Sequence, residues 1–406
     1  MLAMIQKPKG TRDFLADEAL VRERVTSAFI LFAQNMGYKP CVPPIFEEVG
    51  LFKRAVGETS DIVQKELFYL KGDENKYALR PELTAGVVRA LIDGGVKAMP
   101  KPVNVYTVGS VYRYEKPQKG RYREFTQFDL NSFGEQNAFA DAYFIASVYG
   151  FLKSVIGSNV KIYLNTLGSP ETKQKFAKEL TDAIGQNTDK LCSDCKTRVA
   201  SNPLRVLDCK LNCKENIESA PKITDYLLDD EKEYFAKLTE FLKYNDVNFE
   251  IDTELMRGLD YYTSVVFEIT MTEDSSRSAV LAGGGRFDGL VAQLGGPEIG
   301  AIGIGLGLDR IVENAKKVES SRKCEYIICP ISNEFDESAY SIALQLNQKG
   351  KSARVSNAYN LKSSLSDALK SDCKYAVIVG EETKDNKVVV KDLKKNSQEE
   401  VLIEEL

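Results

Sequence analysis

Apolar residues recur at helical spacing over residues 18–36, where Val21, Val25, Phe29 and Phe32 share one face and Gly37 follows as a stop. Residues 38–46 are short, apolar and interrupted by Pro40, Pro43 and Pro44. A proline has no N–H to give a ladder, so this stretch is expected at a sheet edge or outside regular pairing. Residues 52–61 read as a connection. Residues 77–79 read as a strand leading through Pro81 into a helix that runs to Leu91. Residues 105–108, continued by Val111 and Tyr112, and residues 125–128 read as two strands around a turn marked by Pro117 and Gly120, an antiparallel hairpin. Helical spacing returns over 138–155, 169–184 and 229–244, with Pro170 in a favourable first-turn place. Strands are predicted at 161–165, 247–251, 265–271, 279–285 and 303–307, the last feeding a helix over 308–317. Residues 186–222 are irregular.

A short polar run at 318–323 marks a domain boundary. Beyond it, strands at 326–330, 353–355, 375–380, 388–391 and 400–403 alternate with helices at 337–348 and 361–369. That order predicts a small α/β domain with a mostly parallel sheet. The expected division is therefore 1–320, including an insertion over about 170–245, and 324–406.

Composition narrows the class. Apolar residues make up 43% and charged residues 28%, the balance of a soluble globular protein. No uninterrupted 18-residue apolar run occurs, and the first residues lack a signal-peptide core, so a cytoplasmic protein without a membrane span is expected. Net charge is −5, so any nucleic acid must be held by local patches. The hairpin tip is the clearest such patch: Arg113, Lys116, Lys119, Arg121 and Arg123 crowd together, and like charges packed this closely suit a polyanion.

The chain contains no histidine at all. No imidazole base and no imidazole metal ligand is available, so its chemistry must run on arginines, carboxylates, amides, hydroxyls and thiols. Four of the eight cysteines, Cys192, Cys195, Cys209 and Cys213, follow a C-x2-C, thirteen-residue, C-x3-C spacing. That spacing suits a structural Zn2+ held by four thiolates; the other reading is four free thiols in the insertion. Cys41, Cys324, Cys329 and Cys373 read as core thiols.

The stretch 111–134 resembles motif 2 of the class II aminoacyl-tRNA synthetases, and more narrowly of the histidyl-tRNA synthetases. Further matches follow in order: Lys7-Pro8-Lys9-Gly10-Thr11-Arg12-Asp13, Arg80-Pro81-Glu82-Leu83-Thr84-Ala85, Arg257-Gly258-Leu259-Asp260-Tyr261-Tyr262, Ala282-Gly283-Gly284-Gly285-Arg286-Phe287-Asp288, and Gly305-Leu306-Gly307-Leu308-Asp309-Arg310, the last resembling motif 3. The resemblance spans essentially the whole chain. It implies an α+β fold: a class II antiparallel sheet flanked by helices, a helical or irregular insertion, and a C-terminal α/β anticodon-binding domain. It implies a homodimer that uses ATP with Mg2+, L-histidine and tRNA(His). The rival class is a non-catalytic paralogue, such as the regulatory subunit of ATP phosphoribosyltransferase or a tRNA-sensing module. The complete set of motif arginines and the presence of residues 324–406 argue against it.

By resemblance, Arg113 and Arg257 flank the α-phosphate, Arg121 reaches the outer phosphates, Glu115 meets the adenine amino group, and Phe125 and Arg310 sandwich the ring. Glu82, Thr84 and Gln127 face the α-ammonium of histidine, Tyr261, Tyr262 and Asn131 attend its imidazole, and Arg257 also belongs to the histidine-binding set. Gln118 and Lys119 meet the tRNA acceptor end. For Glu82 a role as a helix N-terminal carboxylate stands beside the binding role, and for Tyr261 a place in the core. Two departures bear on the imidazole pocket: Asn131 stands where an acid is usual, and Phe287 stands where a tyrosine is usual. Gln127, Asp129 and Asn131 are spaced by two on a strand and share a face, so Asp129 can supply the missing charge. Asn131→Asp is expected to tighten histidine binding.

Overall fold

The computed structural model describes the whole chain except residues 1–4, 59, 73–75, 119, 158, 186–187, 208, 210, 212, 218–220, 273–279, 316–323 and 371–372. Lys119, the boundary run 318–323 and the end of the helix predicted at 308–317 therefore lie outside the described residues. The chain divides into two compact units, Met1–Val318 and Glu319–Leu406.

The first unit is built on an eight-stranded sheet. In spatial order its strands are Lys39–Pro40, Val103–Tyr112, Glu124–Phe133, Ala301–Gly307, Val280–Arg286, Thr263–Met271, Val160–Thr166 and Phe249–Ile251. Neighbours run antiparallel except at the two edges, where short strands pair in parallel. Proline confines Lys39–Pro40 to its edge, as its lost N–H requires. The hairpin pairs without slippage from Val103 opposite Phe133 to Tyr112 opposite Glu124.

Strand alternation sorts the two faces. Phe128 and Leu130 point into an apolar layer formed with the helices Ala16–Asn35 and Ala138–Ile156. Phe29 stacks on Phe128 at 4.3 Å between ring centroids. Each such large side chain taken from water contributes roughly 1.5–3 kcal/mol. Ala138–Ile156 is long and apolar enough to cross a membrane by length and composition, but Ile145, Val148 and Leu152 are fully buried against the sheet. Asn137 caps that helix by accepting from Ala140 N at 2.8 Å. The opposite face of Glu124–Phe133 carries Gln127, Asp129 and Asn131.

Residues 49–56, expected to lie beside or within a connection, form the helix Val49–Val56, burying Val49, Phe52, Ala55 and Val56. Its apolar face lasts two turns, too short for periodicity to stand out. The stretch read as irregular at 186–222 contains the helix Ser193–Ser201 and short 3-10 turns. Its Cys195, Val206 and Ile217 join Phe176 and Leu180 of the helix Pro170–Gly185 in the same apolar cluster as Val56, Tyr261 and Phe287. The insertion thus shares a core with the sheet's cavity side.

The second unit is a five-stranded sheet in the order Ala353–Val355, Tyr326–Pro330, Tyr375–Val379, Lys387–Asp392, Ser397–Leu402. Two pairings are parallel and two antiparallel, so the sheet is mixed rather than mostly parallel. The last two strands are consecutive and joined by a tight connection, which only an antiparallel pair permits. Ile328, Val377 and Val379 pack on Ile342 and Leu346 of the helix Asp336–Gln348.

Candidate active site

The floor of the site is made of glycine. Gly283 pairs with Gly305 and Gly285 with Gly303 across the two central strands, while Gln127, Asp129 and Asn131 lie opposite Gly307, Gly305 and Gly303. Each of these polar side chains therefore leans over a backbone without a Cβ. A Cβ at Gly303 would collide with Asn131 Oδ1, one at Gly305 with Gln127 Nε2, and one at Gly283 with the Arg257 guanidinium. The glycine run makes room for side chains from neighbouring strands and loops.

Over this floor lies a cavity of about 630 Å³. Glu82, Thr84, Arg113, Glu115, Arg121, Phe125, Gln127, Arg257, Tyr261, Tyr262 and Arg310 all line it. These residues come from four separated stretches of sequence: 82–84, 113–127, 257–262 and residue 310. Gln118 sits exposed at the hairpin tip, bridged to Arg121 through backbone bonds of 3.2 and 2.9 Å. Asn131 does not line the cavity. It is fully buried behind it, donating from Nδ2 to Asp129 Oδ2 at 3.1 Å.

One group of lining residues is tied to Asp129. This fully buried carboxylate accepts from Thr84 Oγ1 at 2.9 Å, Gln127 Nε2 at 2.7 Å and Asn131 Nδ2. Burial pushes its pKa up while the three donors pull it back. Glu82 accepts from the backbone N–H of Thr84 at 2.7 Å and Ala85 at 2.8 Å, at the start of the helix Thr84–Asp93. Burial, and then the nearby Asp129 charge, push Glu82 up to about 7. The helix-terminal carboxylate and the cavity-lining carboxylate are the same group. Tyr261 and Tyr262 are buried with ring centroids 4.8 Å apart, and desolvation raises both phenols. Tyr261 also lies edge-on to Phe287 at 5.6 Å, so it is at once a core aromatic and a cavity wall.

The other group is cationic. Arg113 donates from Nε to Pro81 O at 2.9 Å and lies over the Phe125 ring at 5.5 Å. Arg121 pairs with Glu115 at 3.3 Å. Arg310 donates to Gly120 O at 3.1 Å and Val280 O at 2.6 Å; burial, then Arg121, lower its pKa. Arg257 pairs with Glu268 and approaches the Tyr262 ring at 5.7 Å. Behind the wall, buried Arg80 ties the hairpin to the proline segment through Ser110 O at 2.9 Å and Pro43 O at 2.8 Å. Arginines converging on a concave, partly buried surface are equipped to bind phosphate and to stabilise charge growing on it.

A family model described as histidyl-tRNA synthetase matches residues 10–311, and one described as anticodon binding domain matches residues 325–406. The chain belongs to the histidyl-tRNA synthetases. A histidine–tRNA ligase of Campylobacter concisus is 39% identical, with 99% of each chain covered. One of Caldicellulosiruptor bescii is 36% identical over 99% of this chain and 97% of its own. Among solved structures, apo histidyl-tRNA synthetase of S. aureus superposes with a TM-score of 0.82 at 27% identity, covering 99% of this chain and 98% of that one. Family membership makes this chain an aminoacyl-tRNA ligase of α+β architecture.

Glu268 is one cavity residue that sequence reasoning missed, and Arg205 is another. The signal for Glu268 was a lone acid inside Val265-Val266-Phe267-Glu268-Ile269, an apolar strand that tolerates a charge only where a cation or a cavity meets it. The four insertion cysteines come together: all four sulfurs lie within 4.8 Å of one another, and Cys192 Sγ is 3.8 Å from Cys209 Sγ. A tetrahedral site with Zn–S of about 2.3 Å has S···S edges of about 3.8 Å. Burial pushes the Cys209 thiol up, but the backbone N–H groups of Cys213 and Leu211 and the neighbouring thiols pull it down to about 7, towards the thiolate a metal requires.

Proposed function

We propose that the cavity condenses L-histidine with ATP, entering as its Mg2+ complex, to give histidyl-adenylate and pyrophosphate, and then transfers the histidyl group to the 3′ end of tRNA(His). The observation that carries this reading is one cavity with two chemically distinct linings. Glu82, Thr84, Gln127, Tyr261 and Tyr262, backed by Asp129, suit an amino acid; Arg113, Arg121, Phe125 and Arg310 suit a nucleotide. The nucleophile is the substrate carboxylate, already ionised, so no protein base is needed. The absence of histidine from the chain is no obstacle.

In this reading Glu82, Thr84 and Gln127 take the α-ammonium, and the ionised form of Glu82 is favoured once that cation arrives. Tyr262 and Tyr261 close on the imidazole. Asp129, rather than Asn131, is the carboxylate behind the ring, with Asn131 holding it in place. Arg113 and Arg257 neutralise the charge that grows on the α-phosphate, Arg121 takes the outer phosphates, Glu115 the adenine amino group, and Phe125 and Arg310 the ring faces. The tip bearing Gln118 and Lys119 meets the acceptor end of the tRNA. Cys192, Cys195, Cys209 and Cys213 hold a structural Zn2+. Exposed Leu31, Val42, Ile45 and Phe46 on and beside the proline segment supply the apolar surface of a homodimer, and the enzyme works in the cytoplasm. A non-catalytic paralogue has no need of Arg113, Arg257 and Arg310 all lining one cavity.

Histidine-dependent ATP–pyrophosphate exchange tests the reading. Exchange with histidine and none with other amino acids is expected; protein that binds ATP or tRNA without exchange would decide for the paralogue.

A further inference from the structure

We propose that Arg205, assisted by Asn202, is a positioning residue for the loop 257–262 that carries Arg257, Tyr261 and Tyr262, and that the cysteine cluster exists to hold this clamp. The proposal rests on the functional reading of that loop as the histidine-binding wall.

The cluster closes a ring of chain. Cys192 and Cys195 lie before the segment 196–208 and Cys209 and Cys213 after it, with all four sulfurs gathered at one point. Three polar side chains of this ring, Arg198, Asn202 and Arg205, grip the cavity's rim. Arg205, 8% exposed, donates from Nε to Asp260 Oδ1 at 3.1 Å and from Nη2 to Gly258 O at 2.7 Å. Asn202 donates to the same Asp260 oxygen at 3.1 Å. Arg198 makes a paired contact with Asp61 at 2.9 and 3.0 Å, on a stretch that lines the cavity's other side.

Asp260 is held from behind as well. Gly57 has φ +95° and ends the helix Val49–Val56, and a Cβ there would collide with Asp260 Oδ2. The aspartate is thus wedged between a glycine and a guanidinium. One residue on, Tyr261 turns into the cavity. A fork that fixes one backbone carbonyl and one carboxylate of a six-residue loop leaves that loop little freedom. Such placement acts on the amino acid half of the site and on Arg257 at the α-phosphate, and leaves the adenine and outer-phosphate contacts, built on the hairpin and on Arg310, untouched. Misplacing a binding wall by about 1 Å costs up to a hundredfold in rate.

The test uses the full chain with whatever metal it carries, and the variants Arg205→Ala, Arg205→Lys and Asn202→Ala. Pyrophosphate exchange gives KM for histidine and for ATP. Hydrogen exchange reads the amides of residues 255–262, with residues 103–112 as the internal reference. Arg205→Ala is expected to raise KM for histidine about tenfold or more while KM for ATP stays within about twofold. Arg205→Lys and Asn202→Ala should fall between wild type and Arg205→Ala. Exchange at 255–262 should quicken about tenfold with the reference unchanged, and millimolar methylguanidinium should restore part of both effects. A purely structural role would lower the active fraction without changing either KM. Unchanged histidine KM and loop exchange, or an ATP KM that rises in step, would overturn the clamp. Wild-type protein without histidine-dependent exchange would instead overturn the functional reading, and the loop-exchange measurement would still decide the clamp. Should Arg205→Ala fail to fold, the Lys and Asn202 variants carry the same comparison.

Discussion

Glu82→Gln tests whether a carboxylate kept uncomfortable in the empty site is spent on substrate. Burial beside Asp129 lifts Glu82 from its ordinary value near 4.5 to about 7. At about 1.4 kcal/mol for each tenfold change in proton affinity, holding this carboxylate ionised costs the free protein roughly 3 kcal/mol. The sign is set by the raised value. Between pH 4.5 and 7 the folded chain binds the extra proton and the unfolded chain does not, so stability from this group is greatest at low pH and falls as pH rises through 7. Urea unfolding of wild type and Glu82→Gln at pH 5 and 8 should therefore diverge in the variant's favour by up to roughly 3 kcal/mol on going to pH 8. Binding should show the opposite face of the same effect. The α-ammonium needs the ionised form, so wild-type KM for histidine should rise about tenfold between pH 8 and 6, beyond any rise seen in the variant. Free histidine titrates identically in both assays, so the comparison isolates the protein group. Glu82→Gln should also raise KM at pH 8, because the amide offers no charge. A wild-type to variant KM ratio that stays flat from pH 6 to 8 would refute the reasoning and leave Glu82 as a helix-terminal cap only.

Arg257→Ala should lower the activation rate roughly a hundredfold or more while ATP binding changes less, read by single-turnover adenylate formation; a rate within a few-fold of wild type would remove Arg257 from the mechanism. Asp129→Asn should raise KM for histidine about tenfold, since the three donors around it remain but the charge is lost. Asn131→Asp, which the sequence favoured as tightening binding, is now expected to destabilise the protein: it sets a second buried carboxylate in place of the amide 3.1 Å from Asp129, and thermal unfolding should show a lower midpoint. A tighter histidine KM with undiminished stability would return the imidazole contact to position 131. Protein purified under reducing conditions without chelator should carry about one zinc per chain, and its removal should raise KM for histidine; metal analysis finding none would decide for free thiols.

The order and type of most elements were legible because each rests on a local rule. Helical spacing over Val21, Val25 and Phe29, the prolines at 40, 43 and 44, and the alternation around Gln127, Asp129 and Asn131 all act within a few residues. The basic hairpin and the cysteine spacing were likewise visible, since charge crowding and ligand spacing are properties of sequence. Tertiary structure alone decided what those side chains meet. That Asn131 lies behind the cavity and serves Asp129 depends on strand 301–307 presenting Gly303 and Gly305 opposite them, more than 170 residues away. Glu82's raised pKa comes from its burial beside Asp129, a distance no spacing encodes. Arg205 and Asn202 lie in a segment that reads only as irregular until the fold brings both onto Asp260. A side chain's chemistry is set by its sequence, but its environment is made by partners distant along the chain, and it is the environment that turns a carboxylate or a guanidinium into part of a site.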